Sequence, residues 1–202
     1  MPRDAQDAGL AAKLVGLVER DGAGCVDLPG AEALPAPEGV CSLMIVSGQG
    51  AEAFVARVVA ERLAVAAAPV QEGGFALAAV RMALALDGCL TADVSPVRIR
   101  GEDSDTALED VMFGEAAGRL LVAAPDENES AIDHIAIELG AMGDCLMMGS
   151  VETGGKEPRV RFWRAPMSAP VIDLPLSAFK SRSHPSTRSG RGLFPRRGLF
   201  SS

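Results

Sequence analysis

The apolar pattern of this chain switches period again and again, and this alternation restricts its possible folds more than any other feature. Residues 40–47 read VCSLMIVS, an almost unbroken apolar run of strand length. Residues 51–62 then place Phe54, Val55, Val58 and Val59 on one helical face. Residues 64–68 predict a short strand that stops at Pro69, and 74–86 a helix with Leu77, Val80 and Leu84 at helical spacing. A strand is expected over 90–94. Thr106 and Glu109 have the spacing of a capping box and open a short helix toward Met112. RLLVAA at 119–124 reads as a strand covered on both faces.

The clearest helix spans 126–139. Asp126, Glu127 and Glu129 crowd its positive end, Ile132, Ile135, Ala136 and Leu139 form its stripe, and Gly140 stops it. Strands over 145–149 and 159–163 flank a turn at Gly154-Gly155, and a last short helix begins near Pro175. An opening strand is read at 14–19, separated from residue 40 by a loop containing Pro29, Pro35 and Pro37. Strands alternating with helices of this length predict an α/β sandwich with a mixed sheet.

Charge divides the chain unevenly. From residue 180 onward come Lys180, Arg182, Arg188, Arg191, Arg196 and Arg197 without one acid, leaving residues 1–179 with 13 basic and 27 acidic groups, a net charge of −14. Residues 181–202 are rich in Ser, Gly, Pro and Arg, so they are expected to be a disordered basic tail. RGLF occurs twice in it, at 191–194 and 197–200. Arg191, Leu193, Phe194, Arg197, Leu199 and Phe200 are therefore its candidate interaction residues. With an acidic body and only Phe194 and Phe200 interleaved among the arginines, the pattern argues against nucleic acid as a partner.

No apolar run approaches the roughly 18–20 residues that span a bilayer. The acids in MPRDAQDAGL oppose a signal peptide, which makes a cytoplasmic location without membrane attachment the expectation. Cys25, Cys41, Cys89 and Cys145 form no C-x-x-C pair, and they read as buried free thiols rather than zinc ligands. His134 and His184 have no Ser, Cys or Asp partner in local sequence, so no catalytic triad is indicated and no metal site is expected.

Two segments could carry chemistry. In the first, Pro69-Val70-Gln71-Glu72-Gly73-Gly74 leads from a strand into a helix. A glycine pair there serves either as a tight turn or as a cradle where helix N–H groups meet an anion such as phosphate. In the second, Phe113-Gly114-Glu115-Ala116-Ala117-Gly118-Arg119 sets an acid and an arginine around a bend. Here an ordinary turn with a solvated Glu115 competes with a ligand contact, and the Phe113 ring is assigned to the core.

Taken together, these segments resemble the C-terminal domain of phosphoribosylformylglycinamidine synthase, in the aminoimidazole ribonucleotide synthase-like superfamily. The family pattern L-F-G-E-S-x-G-R is similar to Met112–Arg119 as a run, I-G-x-V to Met148-Gly149-Ser150-Val151, and G-G-L-A-V-A to Gly73-Gly74-Phe75-Ala76-Leu77-Ala78. Val15-Gly16-Leu17-Val18-Glu19 resembles the strand that opens the family's domain, and Asp173-Leu174-Pro175-Leu176 its closing element. The likeness covers residues 14–180, behind a lead of residues 1–13.

The resemblance implies a three-layer α/β sandwich that normally follows an ATP-binding domain, in an enzyme that forms an amidine from ATP, ammonia and formylglycinamide ribonucleotide. It places Glu72, Gly73, Gly74 and Glu115 at a substrate or phosphate site. ATP and Mg are implied only for the complete enzyme, and no cofactor is expected on this chain alone. Where the family reads H-D-x-S-D-G-G, this chain reads Ala68-Pro69-Val70-Gln71-Glu72-Gly73-Gly74. The imidazole and first carboxylate are missing, and Pro69 removes a backbone donor. Each missing partner weakens such a site by about 1–3 kcal/mol. The expectation is a degenerate domain of an ATP-dependent C–N ligase, inactive alone and catalytic in none of its residues. It would pair with a separate ATP-binding polypeptide or with itself. The alternative is a non-catalytic scaffold acting through the RGLF-containing tail.

Overall fold

The computed structural model describes residues 3–21, 38–95, 108–115, 118–142, 145–164 and 168–180. Its elements are α1 (Arg3–Asp21), β1 (Val40–Val46), α2 (Ala51–Ala60), β2 (Ala66–Pro69), α3 (Gly74–Leu86), β3 (Cys89–Asp93), α4 (Leu108–Phe113), β4 (Leu120–Pro125), α5 (Glu129–Glu138), β5 (Cys145–Glu152), β6 (Arg159–Trp163) and β7 (Pro170–Pro175). Short 3₁₀ turns at Asp126–Asn128 and Leu176–Ala178 precede α5 and follow β7. The strands form one seven-stranded sheet in the order β2-β4-β1-β5-β3-β6-β7. Only β3 and β6 run parallel; the other neighbours are antiparallel, so the sheet is mixed.

Alternation along the strands builds a core on each face. Leu43 and Ile45 of β1, with Leu121 and Ala123 of β4, point toward α1, α3 and α4. Met44, Val46, Val122 and Ala124 point the other way, toward Phe54, Val55 and Val58 of α2 and Ile132 and Ile135 of α5. Helices, sheet and helices make the three-layer α/β sandwich. In the larger core Phe75 meets Phe162 edge to face, with ring centroids 6.0 Å apart. Burying one such side chain contributes about 1.5–3 kcal/mol.

A bulge opposite Leu43 and Met44 resets β5. Leu43 pairs with Gly149 and Met44 with Met147, leaving Met148 as the extra residue, so Met148 and Val151, three positions apart, both enter the larger core. Gly149, at φ +143, is required there, because a Cβ would lie 2.0 Å from the carbonyl oxygen of Thr91.

Two elements differ from the sequence reading. Residues 14–19, read as the opening strand, lie inside helix α1. Leu10, Leu14 and Val18 recur every four residues and are all buried against the larger core, and this spacing outweighs the β-branched look of the shorter window. The likeness of residues 15–19 to a family strand is thereby lost. The strand β7 was not expected, because prolines stand at both its ends. At a sheet edge the missing N–H of proline costs little, and Val171 and Ile172 between them are buried. Elsewhere the spans agree to within a few residues, and α3 and β6 coincide with those read from the sequence. Thr106, Ala116, Ala117, Cys25 and residues 181–202 lie outside the described residues.

Candidate functional site

The glycine pair sits where β2 hands over to α3. Pro69 closes β2 opposite Leu120, and the strand pairing runs one residue further as the Val70 N–H donates to the Arg119 carbonyl at 2.9 Å. The chain then turns through Gln71 and Glu72, and the Gly74 N–H donates to the Gln71 carbonyl at 2.8 Å. Gly73 and Gly74 both have positive φ, +85 and +63. Helix α3 begins there without a side-chain cap and with no acid in its first turn.

Gly74 leaves no room for a ligand atom on its Cβ side. A methyl group there would lie 2.6 Å from the Phe113 carbonyl carbon and 2.7 Å from the Met112 carbonyl oxygen, both backbone atoms of α4. At Gly73 the same methyl would meet the Leu77 side chain at 2.5 Å. Both glycines are therefore needed for close packing within the protein, which is the tight-turn reading of the pair. The two segments read separately in the sequence are in fact one place: the Phe113-Gly114-Glu115 bend packs directly on the start of α3. Gly114 is itself fixed, its N–H donating to the Asp110 carbonyl at 2.8 Å.

The acids here face outward. Glu72 and Glu115 are exposed, and Glu72 accepts a hydrogen bond from Arg20 Nη2 of α1 at 3.0 Å. Lys13, two turns earlier on α1, donates to Glu109 of α4 and lies 4.8 Å from the centroid of the Phe113 ring. Phe113 is buried, as expected for a core ring. Helix α1 thus straps the turn and α4 together through two cations seven residues apart. Sequence reasoning missed both, since a segment taken for a strand gives Lys13 and Arg20 no common helical face. Reading 3–21 as a helix would have aligned them.

Other candidates are plain structural groups. Cys41 is fully buried, and desolvation, then the nearby Asp126 carboxylate, push its thiol above the ordinary range. Cys89 and Cys145 are half-buried and in no disulfide, more accessible than the sequence suggested. His134 is exposed and lies 3.3 Å from Glu138 on the same helix. Among the described residues no three His, Cys, Asp or Glu side chains are grouped to hold a metal ion, and no helix is long and apolar enough to cross a membrane. The residues of the turn do not fit a magnesium–nucleotide either: Glu72 is salt-bridged to Arg20, Glu115 faces outward, and packed backbone fills the space beside Gly74.

No family model matches the chain, and no curated protein sequence matches it significantly. Solved structures do match its fold. PurL of T. maritima complexed with FGAR superposes with a TM-score of 0.60 at 14% identity, over 84% of this chain and 32% of that one. Phosphoribosylformylglycinamidine synthase II from Thermotoga maritima gives 0.59 at 16% identity, over 82% and 30%. PurLQS from Thermotoga maritima gives 0.58 at 15%, over 82% and 30%. The chain therefore spans less than a third of the length of each of these proteins, and what it shares with them is the fold alone.

Proposed function

We propose that this chain is a degenerate counterpart of the C-terminal domain of phosphoribosylformylglycinamidine synthase, one that keeps the architecture without carrying amidine-forming chemistry by itself. One observation carries this reading: the Gly73-Gly74 turn is packed against the α4 backbone, and its one remaining acid is held by Arg20. A site of that family would need hydrogen-bonding groups where Ala68 and Pro69 stand. With no imidazole or carboxylate there, neither a proton acceptor nor a ligand for a charged substrate is supplied. On this reading any role in the pathway requires an ATP-binding part that these residues do not supply.

The test is direct. The purified chain is supplied with ATP, magnesium, ammonia and formylglycinamide ribonucleotide, and phosphate release is followed. Release at the no-protein background is expected. Release that rises in proportion to the amount of chain would overturn the proposal.

A further inference from the structure

We propose that the half of the sheet left uncovered by helices is the contact face of a homodimer, with a second copy of this chain as its occupant. The proposal is independent of the catalytic reading above. Helices α2 and α5 pack over β2, β4 and the Met44–Val46 end of β1. Among the described residues no helix covers β3, β6, β7 or residues 150–152 of β5 on that side.

The register makes this face one continuous surface. Ser150, Thr91, Arg161 and Asp173 are cross-strand neighbours in a single row over β5, β3, β6 and β7. In the adjacent row Glu152 pairs with Cys89, and Arg159 follows on β6. The residues between them along the strands, Leu90, Val151, Val160 and Phe162, enter the larger core, so alternation turns these polar side chains the other way.

Charge on the face is divided about β3. On the β6 side Arg159 Nε lies 2.7 Å and Arg161 Nε 3.4 Å from the same oxygen of Asp173, so two guanidinium groups share one carboxylate. On the β5 side Glu152 is exposed, and among the described residues it has no ion pair. Glu152 and Arg159 stand two strands apart, about 10 Å. Each side of β3 therefore lacks the charge that the other carries in excess, and a second copy turned about β3 supplies it.

Shape selects that symmetry. A twofold axis lying in the interface and running along β3 carries the β5 side of each copy over the β6 side of the other, and moves each helix layer beyond the other copy's β7 edge. A twofold across the strands would instead drive the two helix layers together. With β3 near the axis, Glu152 faces Arg159 of the second copy, and Met147 (43% exposed) comes toward its Trp163. Asp93, also near the axis, is turned to its own chain, its Oδ1 accepting the Ser95 N–H at 2.8 Å. Stacked sheets lie about 10 Å apart, which the small Ser150, Cys89 and Thr91 at the centre permit. Five strands at about 4.8 Å and three rows at about 6.7 Å give a contact of about 1,000 Å² over both copies. This is the low end of specific interfaces, and the face is polar, so the dimer is wet, weak and exchanging.

Sedimentation of the full-length chain from about 1 to about 200 μM tests the proposal. The parent is expected to pass from monomer to dimer across that range. E152R and R159E, each checked for folding by urea unfolding, are each expected to dimerise at least about tenfold more weakly, because like charges then face one another. An equal mixture of the two variants is expected to associate again, since each offers the charge the other lacks. Cys89 gives a readout without substitution: its alkylation in the parent should be at least about threefold slower at the highest chain concentration than at the lowest. A parent that stays monomeric throughout would overturn the proposal. So would variants that dimerise as well as the parent, a mixture no better than its components, or a dimer whose Cys89 is alkylated at the monomer's rate.

Discussion

Replacing Gly74 by alanine tests whether the glycine turn is packed shut or open. The residue has φ +63, and holding a side chain in that region costs about 1–2 kcal/mol. Its new methyl would also press on Phe113 and Met112 backbone atoms at 2.6–2.7 Å, and overpacking adds about 1–3 kcal/mol. The alanine stiffens the unfolded chain, which returns about 0.4–1 kcal/mol. The net expectation is a loss of about 2–4 kcal/mol, or about 5–15 °C in Tm for a chain of this size. Urea unfolding of G74A measures it directly. Gly140→Ala is the control, since Gly140 has a similar φ of +67 with nothing within 4 Å of its added methyl. If G74A costs no more than G140A, backbone strain alone explains it. The packing of α4 on the turn, and with it the argument against a ligand cradle, would then be wrong.

Two other expectations follow from the same geometry. Arg20→Ala and Lys13→Ala should each lower stability by less than about 1 kcal/mol, and by less still in high salt, because both ion pairs are exposed; a loss of several kcal/mol in urea unfolding would contradict their surface placement. Cys41 should be alkylated far more slowly than Cys89 or Cys145 in the native protein. Its raised folded pKa also means that the unfolded chain loses the thiol proton first, from about pH 9 upward. This contribution is therefore fully present below that pH and declines above it by up to about 1.4 kcal/mol per pH unit until the folded thiol also ionises. Cys41→Ala should remove that part of the alkaline slope, and an unchanged slope would refute the assignment.

The fold was largely legible because strong periodicity survives its context. The residues of α3 advertise a helix from Gly74 to Leu86, those of β1 an apolar strand, and those of β4 are so evenly apolar that burial on both faces could be read directly. At 14–19 the apolar Leu14, Val15, Leu17 and Val18 hid the wider helical spacing of Leu10, Leu14 and Val18. Where prolines bounded an edge strand, at 170 and 175, the usual strand signal was suppressed although the edge position tolerates them. The candidate site was legible only in pieces. Both glycine-bearing bends were visible, but their mutual contact depends on residues about forty positions apart, and no local pattern encodes it. The ion pair of Arg20 with Glu72 spans fifty-two positions and is equally silent in sequence.

The outer helices α2 and α5 pack over β2, β4 and β1, whereas on the same side β6 and β7 show the exposed Asp173 beside Arg159 and Arg161. The two sides of β6 therefore answer to different selective pressures. Val160 and Phe162 are constrained by close packing, while Arg159 and Arg161 need only remain compatible with polar surroundings and with the Asp173 carboxylate they share. Among descendants of this chain, drift should concentrate on the wet side of that strand, so that neighbouring codons diverge at unequal pace.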